Sequence, residues 1–190
     1  MNDDAFAQLV SLACHDVRTP LATVHGFVKT LERTAELDAP ADRYVEMIGL
    51  ASTEMAELLD TLSVAARIES GRYDPARRSV DTLELARHAQ DRLEGVEVSG
   101  TGTTIETDLE SVDRAVTSLA RCAIRHGGLP EVAVGVDGAH MTVSPITPAS
   151  APVVLGVDLR DLRAAVAVRV IEALGGSVAV EGDTLHVRLA

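Results

Sequence analysis

The chain lacks tryptophan, and its 190 residues include only two phenylalanines and two tyrosines. It is therefore poor in the aromatic side chains that stack on nucleic-acid bases. Its net charge of −12 would also repel phosphate backbones and anionic lipid surfaces. We expect neither a nucleic acid nor a membrane as a partner.

Cysteine is scarce as well, and the chain contains two, Cys14 and Cys122. Two thiols are too few for a disulfide framework and suit a reducing cytoplasm. No apolar run approaches the ~18 residues that a membrane span needs. The N-terminal Met-Asn-Asp-Asp has no basic start followed by an apolar run, so no signal peptide is expected. These absences predict a cytoplasmic protein of one large or two small domains.

Apolar residues recur at steps of three and four near the N-terminus, which predicts a long amphipathic helix. At roughly 100° per residue they fall within a stripe about 80° wide. The stripe consists of Phe6, Val10, Ala13, Val17, Leu21, Val24, Val28 and Leu31.

His15 lies on the side of this helix opposite the stripe, with Asp16 beside it and Thr19 one turn further along the same face. A lone exposed histidine on a helix is usually an ordinary surface residue. Pro20 favours a functional role for His15 instead. A proline inside a helix removes one hydrogen bond and clashes with the carbonyl of Asp16, at a cost of ~3 kcal/mol. A helix that continues past such a residue indicates a bend just after the histidine.

The run His15-Asp16-Val17-Arg18-Thr19-Pro20-Leu21 fits the pattern H-[DE]-x-R-[TN]-P-L at every position and resembles the H-box of sensor histidine kinases. The resemblance implies that His15 accepts a phosphoryl group. It implies that Asp16 accepts a hydrogen bond from the far imidazole nitrogen, which fixes the tautomer and supports the developing positive charge. Thr19 and Arg18 would line the approach of the phosphoryl donor.

A second helix is predicted after the turn signal Asp38-Ala39-Pro40, and Gly71 ends it. Two helices of about 30 residues joined by a short turn form an antiparallel hairpin with arms ~45 Å long. The apolar repeat of the second helix consists of Tyr44, Ile48, Ala51, Met55, Leu58, Leu62 and Ala65.

One hairpin cannot bury both apolar stripes, whereas two hairpins pairing into a four-helix bundle can. We therefore expect a homodimer, and residues 59–71 resemble the end of the second helix in the dimerisation and phosphoacceptor domain of the same kinases. The alternative is a hairpin that packs on its own C-terminal domain.

A change in composition places the phosphoacceptor hairpin at residues 1–71, a linker at 72–78 and a second domain at 79–190. In the second domain, helices are predicted near 80–93, 109–126 and 159–174. Strand material is predicted at 96–105, with hairpins at 132–146 and 177–189 and a loop at 144–152. The order predicts an α/β sandwich with one layer of helices on one sheet, and hence an α+β chain.

The order of elements in this second domain resembles the ATP-binding domain of the same kinases, but three nucleotide motifs are altered. Cys122 stands where the N-box has an asparagine that binds Mg²⁺, and residues 143–148 replace the adenine-binding D-x-G-x-G. Counting back from Gly175-Gly176 places Asp161-Leu-Arg-Ala164 where the phosphate-binding G-L-G-L belongs. The second domain therefore resembles an ATP-binding domain whose nucleotide site has degenerated. We expect this chain to hold neither a nucleotide cofactor nor a metal.

Together these features predict a histidine phosphotransferase of a two-component phosphorelay. His15 would carry phosphoryl groups between aspartates of response-regulator receiver domains, and each receiver would supply the Mg²⁺. Two alternatives remain open at this stage: a histidine autokinase with a divergent nucleotide site, and a scaffold that binds a receiver without taking its phosphate.

The altered motifs predict that calorimetry with Mg-ATP shows no heat of binding, because a thiol is a poor Mg²⁺ ligand and two phosphate-facing glycines are absent. A dissociation constant in the micromolar range would contradict the degenerate-domain interpretation and favour the autokinase.

Overall fold

The computed structural model describes residues 3–34 and 37–190 and divides the chain into two compact units, Met1–Gly71 and Arg72–Ala190. The first unit is a helical hairpin of α1 (Asp3–Thr34) and α2 (Ala39–Glu69). The second is an α/β unit. This succession confirms the predicted α+β class, in which a helical hairpin is followed by a small α/β sandwich.

The turn signal between the two long helices acts as predicted. Asp38 is the N-cap of α2, and its carboxylate accepts a hydrogen bond from the Ala41 amide at 3.0 Å. Pro40 lies in the first turn, where its missing amide hydrogen costs nothing. Gly71 follows α2 with φ +65°. The first helix, α1, is continuous through Pro20.

The contact between α1 and α2 is made mainly by small side chains. Gly49 permits a close approach, because a Cβ added there would lie 3.1 Å from Val28 Cγ1. The buried residues of α1 recur every seven positions, and those of α2 include a glycine, a serine and an alanine. They are Ala7, Cys14, Leu21 and Val28 on α1, and Val45, Gly49, Ser52 and Ala66 on α2.

The predicted apolar stripes are therefore buried only in part within one chain. On α1, Leu21 and Val28 are buried, whereas Val17, Val24 and Leu31 are 51%, 44% and 42% exposed. Phe6 lies outside the residues whose side chains are described. On α2, Tyr44, Ile48 and Met55 of the predicted stripe are 64%, 48% and 48% exposed. The predicted stripes thus combine two rows of apolar residues. One row packs between α1 and α2, and the other faces away from this contact.

The second unit contains two sheets. A two-stranded sheet pairs β1 (Arg77–Asp81) with β3 (Thr104–Asp108) antiparallel. A five-stranded sheet has the order β2-β4-β5-β7-β6, in which β2 and β4 are parallel and the other neighbours antiparallel. Its strands are β2 (Val96–Gly102), β4 (Val132–Gly138), β5 (His140–Ser144), β6 (Ser177–Glu181) and β7 (Thr184–Arg188).

The helices of this unit are α3 (Thr82–Arg92), α4 (Leu109–Gly127), α5 (Ala151–Val154) and α6 (Leu162–Ala173). The sheet is buried on one face, as the alternation predicts: Val132, Val134 and Val136 are buried, whereas Ala133 and Asp137 are exposed. Helix residues with no exposed surface complete the core, among them Leu85 of α3 and Leu119 of α4.

Four predicted segments differ from those in the structure. The predicted helix at 80–93 begins as β1, because the Asp81 carboxylate caps α3 by accepting hydrogen bonds from the amides of Leu83 and Glu84. Strand β1 also includes Arg77 and Arg78 of the predicted linker. The predicted strand segment 96–105 is two strands in different sheets, and the predicted loop 144–152 runs into α5.

Among the described residues, no helix combines the length and the apolar character that a membrane crossing requires.

The exposed row on α2 predicts that Met55→Glu separates a homodimer formed through residues 3–70. A charge placed in a bundle core loses its hydration without gaining a partner. We expect the dimer dissociation constant to rise at least about a hundredfold, equivalent to ~2.7 kcal/mol, as measured by light scattering across concentrations. Leu50→Glu is the matched control, because Leu50 is 66% exposed and lies outside the predicted stripe. A monomeric wild type at micromolar concentration would contradict the dimer.

Candidate functional site

The predicted phosphoacceptor site lies on the exposed face of α1. The side chains of His15 and Asp16 are 75% and 69% exposed, and His15 Nδ1 lies 3.3 Å from Asp16 Oδ1. An ionised carboxylate only accepts, so Nδ1 is the donor in this contact. The proton then resides on Nδ1, and Nε2 carries the lone pair. The arrangement places an exposed nucleophilic nitrogen on a ring whose other nitrogen is held by a carboxylate.

Thr19 and Arg18 lie on the same stretch of helix, and both are exposed. The backbone carbonyl of Thr19 accepts a hydrogen bond from the Thr23 hydroxyl at 3.2 Å. Arg18 Nη2 donates to Asp60 Oδ1 on α2 at 2.7 Å, with both side chains 44% exposed. Arg18 thus links the two helices near His15, and its guanidinium has further N–H groups for a phosphoryl oxygen.

A shallow groove of about 250 Å³ lies between α1 and α2, next to this face. His25 lines one part of this groove. The Ser52 hydroxyl donates its proton to the Gly49 carbonyl at 2.9 Å. Ser52 Oγ is therefore the acceptor in its contact with His25, whose Nδ1 donates to it at 3.2 Å. The groove is lined by Arg18, Leu21, Ala22, His25, Ser52, Thr53 and Ala56. The sequence did not predict the His25–Ser52 contact, because it depends on the register between the helices.

A second cluster of chemically active side chains lies in the α/β unit and was missed by the sequence analysis. Cys122 and His126 are one turn apart on α4, and Asp161 is the N-cap of α6. His126 Nε2 lies 3.2 Å from Asp161 Oδ2, while Asp161 Oδ1 accepts a hydrogen bond from the Ala164 amide at 3.1 Å. The four-residue spacing of Cys122 and His126 was the one sequence signal for this cluster. That Asp161 lies beside them could not be predicted, because it depends on how α6 packs against α4.

The side chain of Cys122 is fully buried. Burial, assisted by the nearby Asp161 carboxylate, raises the pKa of Cys122 to about 12, whereas Arg125 and Arg160 act in the opposite direction. Cys122 stands where the resemblance expects the asparagine of a Mg-nucleotide site. A buried, protonated thiol offers Mg²⁺ no oxygen ligand, so the residues present here do not fit that group.

Comparison with known proteins adds a family match to this geometry. Residues 7–71 match the family model of the His Kinase A (phospho-acceptor) domain. A sensor-like histidine kinase of Rhizobium meliloti is 27% identical over 152 residues, which cover 72% of this chain and 29% of the relative. The probable sensor histidine kinase TcrY of Mycobacterium tuberculosis is 26% identical over 128 residues, covering 64% of this chain and 27% of the relative.

Two solved structures share the fold. Full-length ShkA in complex with AMPPNP superposes with a TM-score of 0.69 at 20% identity and covers 95% of this chain and 44% of that one. The Acinetobacter baumannii histidine kinase AdeS gives a TM-score of 0.56 at 16% identity and covers 93% and 97% of the two chains. The chain spans less than a third of the two curated relatives. The N-terminal hairpin is therefore similar to a histidine-kinase phosphoacceptor domain, and the chain shares the fold of two histidine-kinase structures.

The raised pKa predicts that Cys122 resists alkylation in the folded protein. In a Cys14→Ala background with a chelator present, iodoacetamide at pH 9 should modify Cys122 slowly. About a thousandth of the folded thiol is ionised there, against half of an unperturbed thiol of pKa 9.0. Mass spectrometry should show rapid modification once urea unfolds the chain. Equal rates in both states would refute the buried, protonated thiol.

Proposed function

We propose that this protein works in two-component signalling and that His15 is its phosphoacceptor, which exchanges a phosphoryl group with the aspartate of a receiver domain. The observation that carries the proposal is the exposed imidazole with its Nδ1 held by Asp16. It lies on a helix within the stretch that matches the phosphoacceptor family.

The transfer follows from the tautomer of His15. The lone pair on Nε2 attacks the phosphorus of the receiver's aspartyl phosphate, the N–P bond forms, and the P–O bond to the aspartate breaks. The departing electron pair restores the receiver's carboxylate. Positive charge grows on the imidazole during the attack, and the carboxylate of Asp16 stabilises it through the Nδ1–H hydrogen bond.

Arg18 and Thr19 are proposed as the groups that receive the incoming phosphoryl group. The Asp60 contact holds the Arg18 guanidinium between the helices near His15, which lowers the entropy lost when it meets a phosphoryl oxygen. Thr19 lies one helical turn from His15 and offers a hydroxyl on the same face. The Mg²⁺ that phosphoryl transfer requires would belong to the receiver.

The source of the phosphoryl group separates two candidate functions. The comparisons favour the histidine autokinase, because the relatives are named sensor histidine kinases and the ShkA structure contains AMPPNP. The residues of this chain support the phosphotransferase, because the buried thiol of Cys122 offers Mg²⁺ no oxygen and the carboxylate of Asp161 would face the phosphates as a like charge. We propose the phosphotransferase, with phosphoryl groups that arrive from one receiver and leave to another.

The experiment that tests this proposal supplies label from two sources. The 190-residue chain is incubated separately with labelled Mg-ATP and with a labelled phospho-receiver. We expect label on the wild type from the receiver alone, and none on His15→Ala. His25→Ala is the matched control, since it removes the other histidine of α1 and leaves the H-box intact. Labelling of His15→Ala would refute the phosphoacceptor, and labelling of the wild type from ATP would establish the autokinase.

In the same assay, Asp16→Asn should slow the transfer by about a hundredfold, the lower end of the range for acid–base groups, without abolishing it. Thr19→Ala should mainly change the hydrolysis of the phospho-receiver, since in the resembled kinases the acid and this residue position the attacking water. Unchanged transfer in Asp16→Asn would show that the carboxylate has no part in the reaction.

A further inference from the structure

The side chains of Cys122, His126 and Asp161 form the group of potential metal ligands found among the described residues of this chain. One ligand atom from each residue lies within 4.8 Å of the other two. The residue Cys122 is fully buried, and the side chains of His126 and Asp161 are 16% and 13% exposed. The three donors therefore meet in a pocket from which most water is excluded.

The backbone holds these donors in place before any ion arrives. Cys122 and His126 are four residues apart on α4, so both side chains project from one face of a nineteen-residue helix. Asp161 is fixed from the opposite side, because its Oδ1 caps α6 by accepting from the Ala164 amide. Its Oδ2 remains directed at His126 Nε2, 3.2 Å away. One carboxylate thus caps a helix with one oxygen and leaves the other for a ligand.

The separations of the three donors are close to those around a tetrahedral zinc ion. Zinc binds sulfur at about 2.3 Å and nitrogen or oxygen at about 2.0–2.2 Å, so neighbouring ligand atoms lie roughly 3.4 Å apart. The His126–Asp161 pair is already at that separation. The remaining separations, at most 4.8 Å, close with small side-chain rotations.

We propose that Cys122, His126 and Asp161 bind one zinc ion, with water in the fourth position. A thiolate, an imidazole and one carboxylate oxygen form a donor set that suits Zn²⁺ and is wrong for Mg²⁺. The thiolate and the carboxylate together neutralise the ion. On binding, the thiol proton of Cys122 passes to solvent, and the proton of His126 moves to Nδ1 so that Nε2 can coordinate.

Neighbouring charges do not prevent this binding. Arg160 donates to Asp158 at 2.7 Å, so its charge is already paired, and Arg125 is exposed to solvent. Both cations favour the thiolate form of Cys122. A bound ion lowers the pKa of a ligating thiol far more strongly than these arginines do, so the protonated thiol of the ion-free protein is no barrier.

The test uses the 190-residue chain without a tag, and the metals alone. Co²⁺ is titrated into the chelator-treated protein, and the thiolate-to-cobalt charge-transfer band is followed in the near ultraviolet. We expect the band to saturate at one Co²⁺ per chain and to disappear when Zn²⁺ displaces the cobalt. Zn²⁺ should also raise the melting temperature of the wild type.

Five variants assign the ligands. Cys122→Ser should abolish the charge-transfer band, because a serine oxygen gives no such transition. His126→Asn and Asp161→Asn should weaken binding more than about a hundredfold, since loss of even an outer-shell partner costs 10–100-fold. Asparagine is as good an N-cap as aspartate, so circular dichroism of Asp161→Asn should show an intact fold. Cys14→Ala and His186→Asn are the controls: they remove the other cysteine and one of the stacked histidines His140 and His186, and should bind cobalt as the wild type does.

The proposal is overturned if the wild type shows no charge-transfer band at stoichiometric cobalt. It is equally overturned if Cys122→Ser keeps the band, or if His186→Asn loses metal binding while His126→Asn retains it. None of these outcomes depends on phosphoryl transfer at His15, so the two proposals succeed or fail separately.

Discussion

The close packing of α1 on α2 is the constraint on which the N-terminal unit depends. It requires small side chains at the contact, and Gly49 against Val28 shows how little space remains. Other apolar side chains lie outside the hairpin contact, among them Val17, Val24 and Met55. The same packing sets the register that joins Arg18 to Asp60 and His25 to Ser52. The exposed apolar row and the geometry beside His15 are thus two results of one helix–helix contact.

In the C-terminal unit, Asp161 links fold stability to local chemistry. One of its oxygens caps α6, and the other faces His126, which is one turn from the buried Cys122. A substitution with glycine, which the resemblance expects near this place, would remove both contacts. Where the resembled motif has glycines whose backbone amides approach phosphate, this chain has the carboxylate of Asp161.

Sequence patterns were most informative where the signal is local. The turn at Asp38, the strand alternation around Val134 and the exposure of His15 follow from neighbouring residues, and the structure contains each of them. Contacts between residues that lie far apart in the chain could not be predicted from the sequence. Spacing alone could not tell which row of α1 faces α2, because the contact depends on small residues of the other helix, such as Gly49 against Val28. Nor could it show that 96–105 divides between two sheets, since β3 is defined by its pairing with β1.

The parallel pairing of β2 with β4 has a consequence for how the chain acquires its structure. Val96 pairs with Val132, so the chain between them, which includes β3 and all of α4, must form a closed loop when this pair forms. Loop closure of that kind is slow compared with the zipping of two helices joined by a short turn. The helical hairpin should therefore form well before the five-stranded sheet. During synthesis, the helix that carries His15 would then be in place while the unit that follows it is still incomplete.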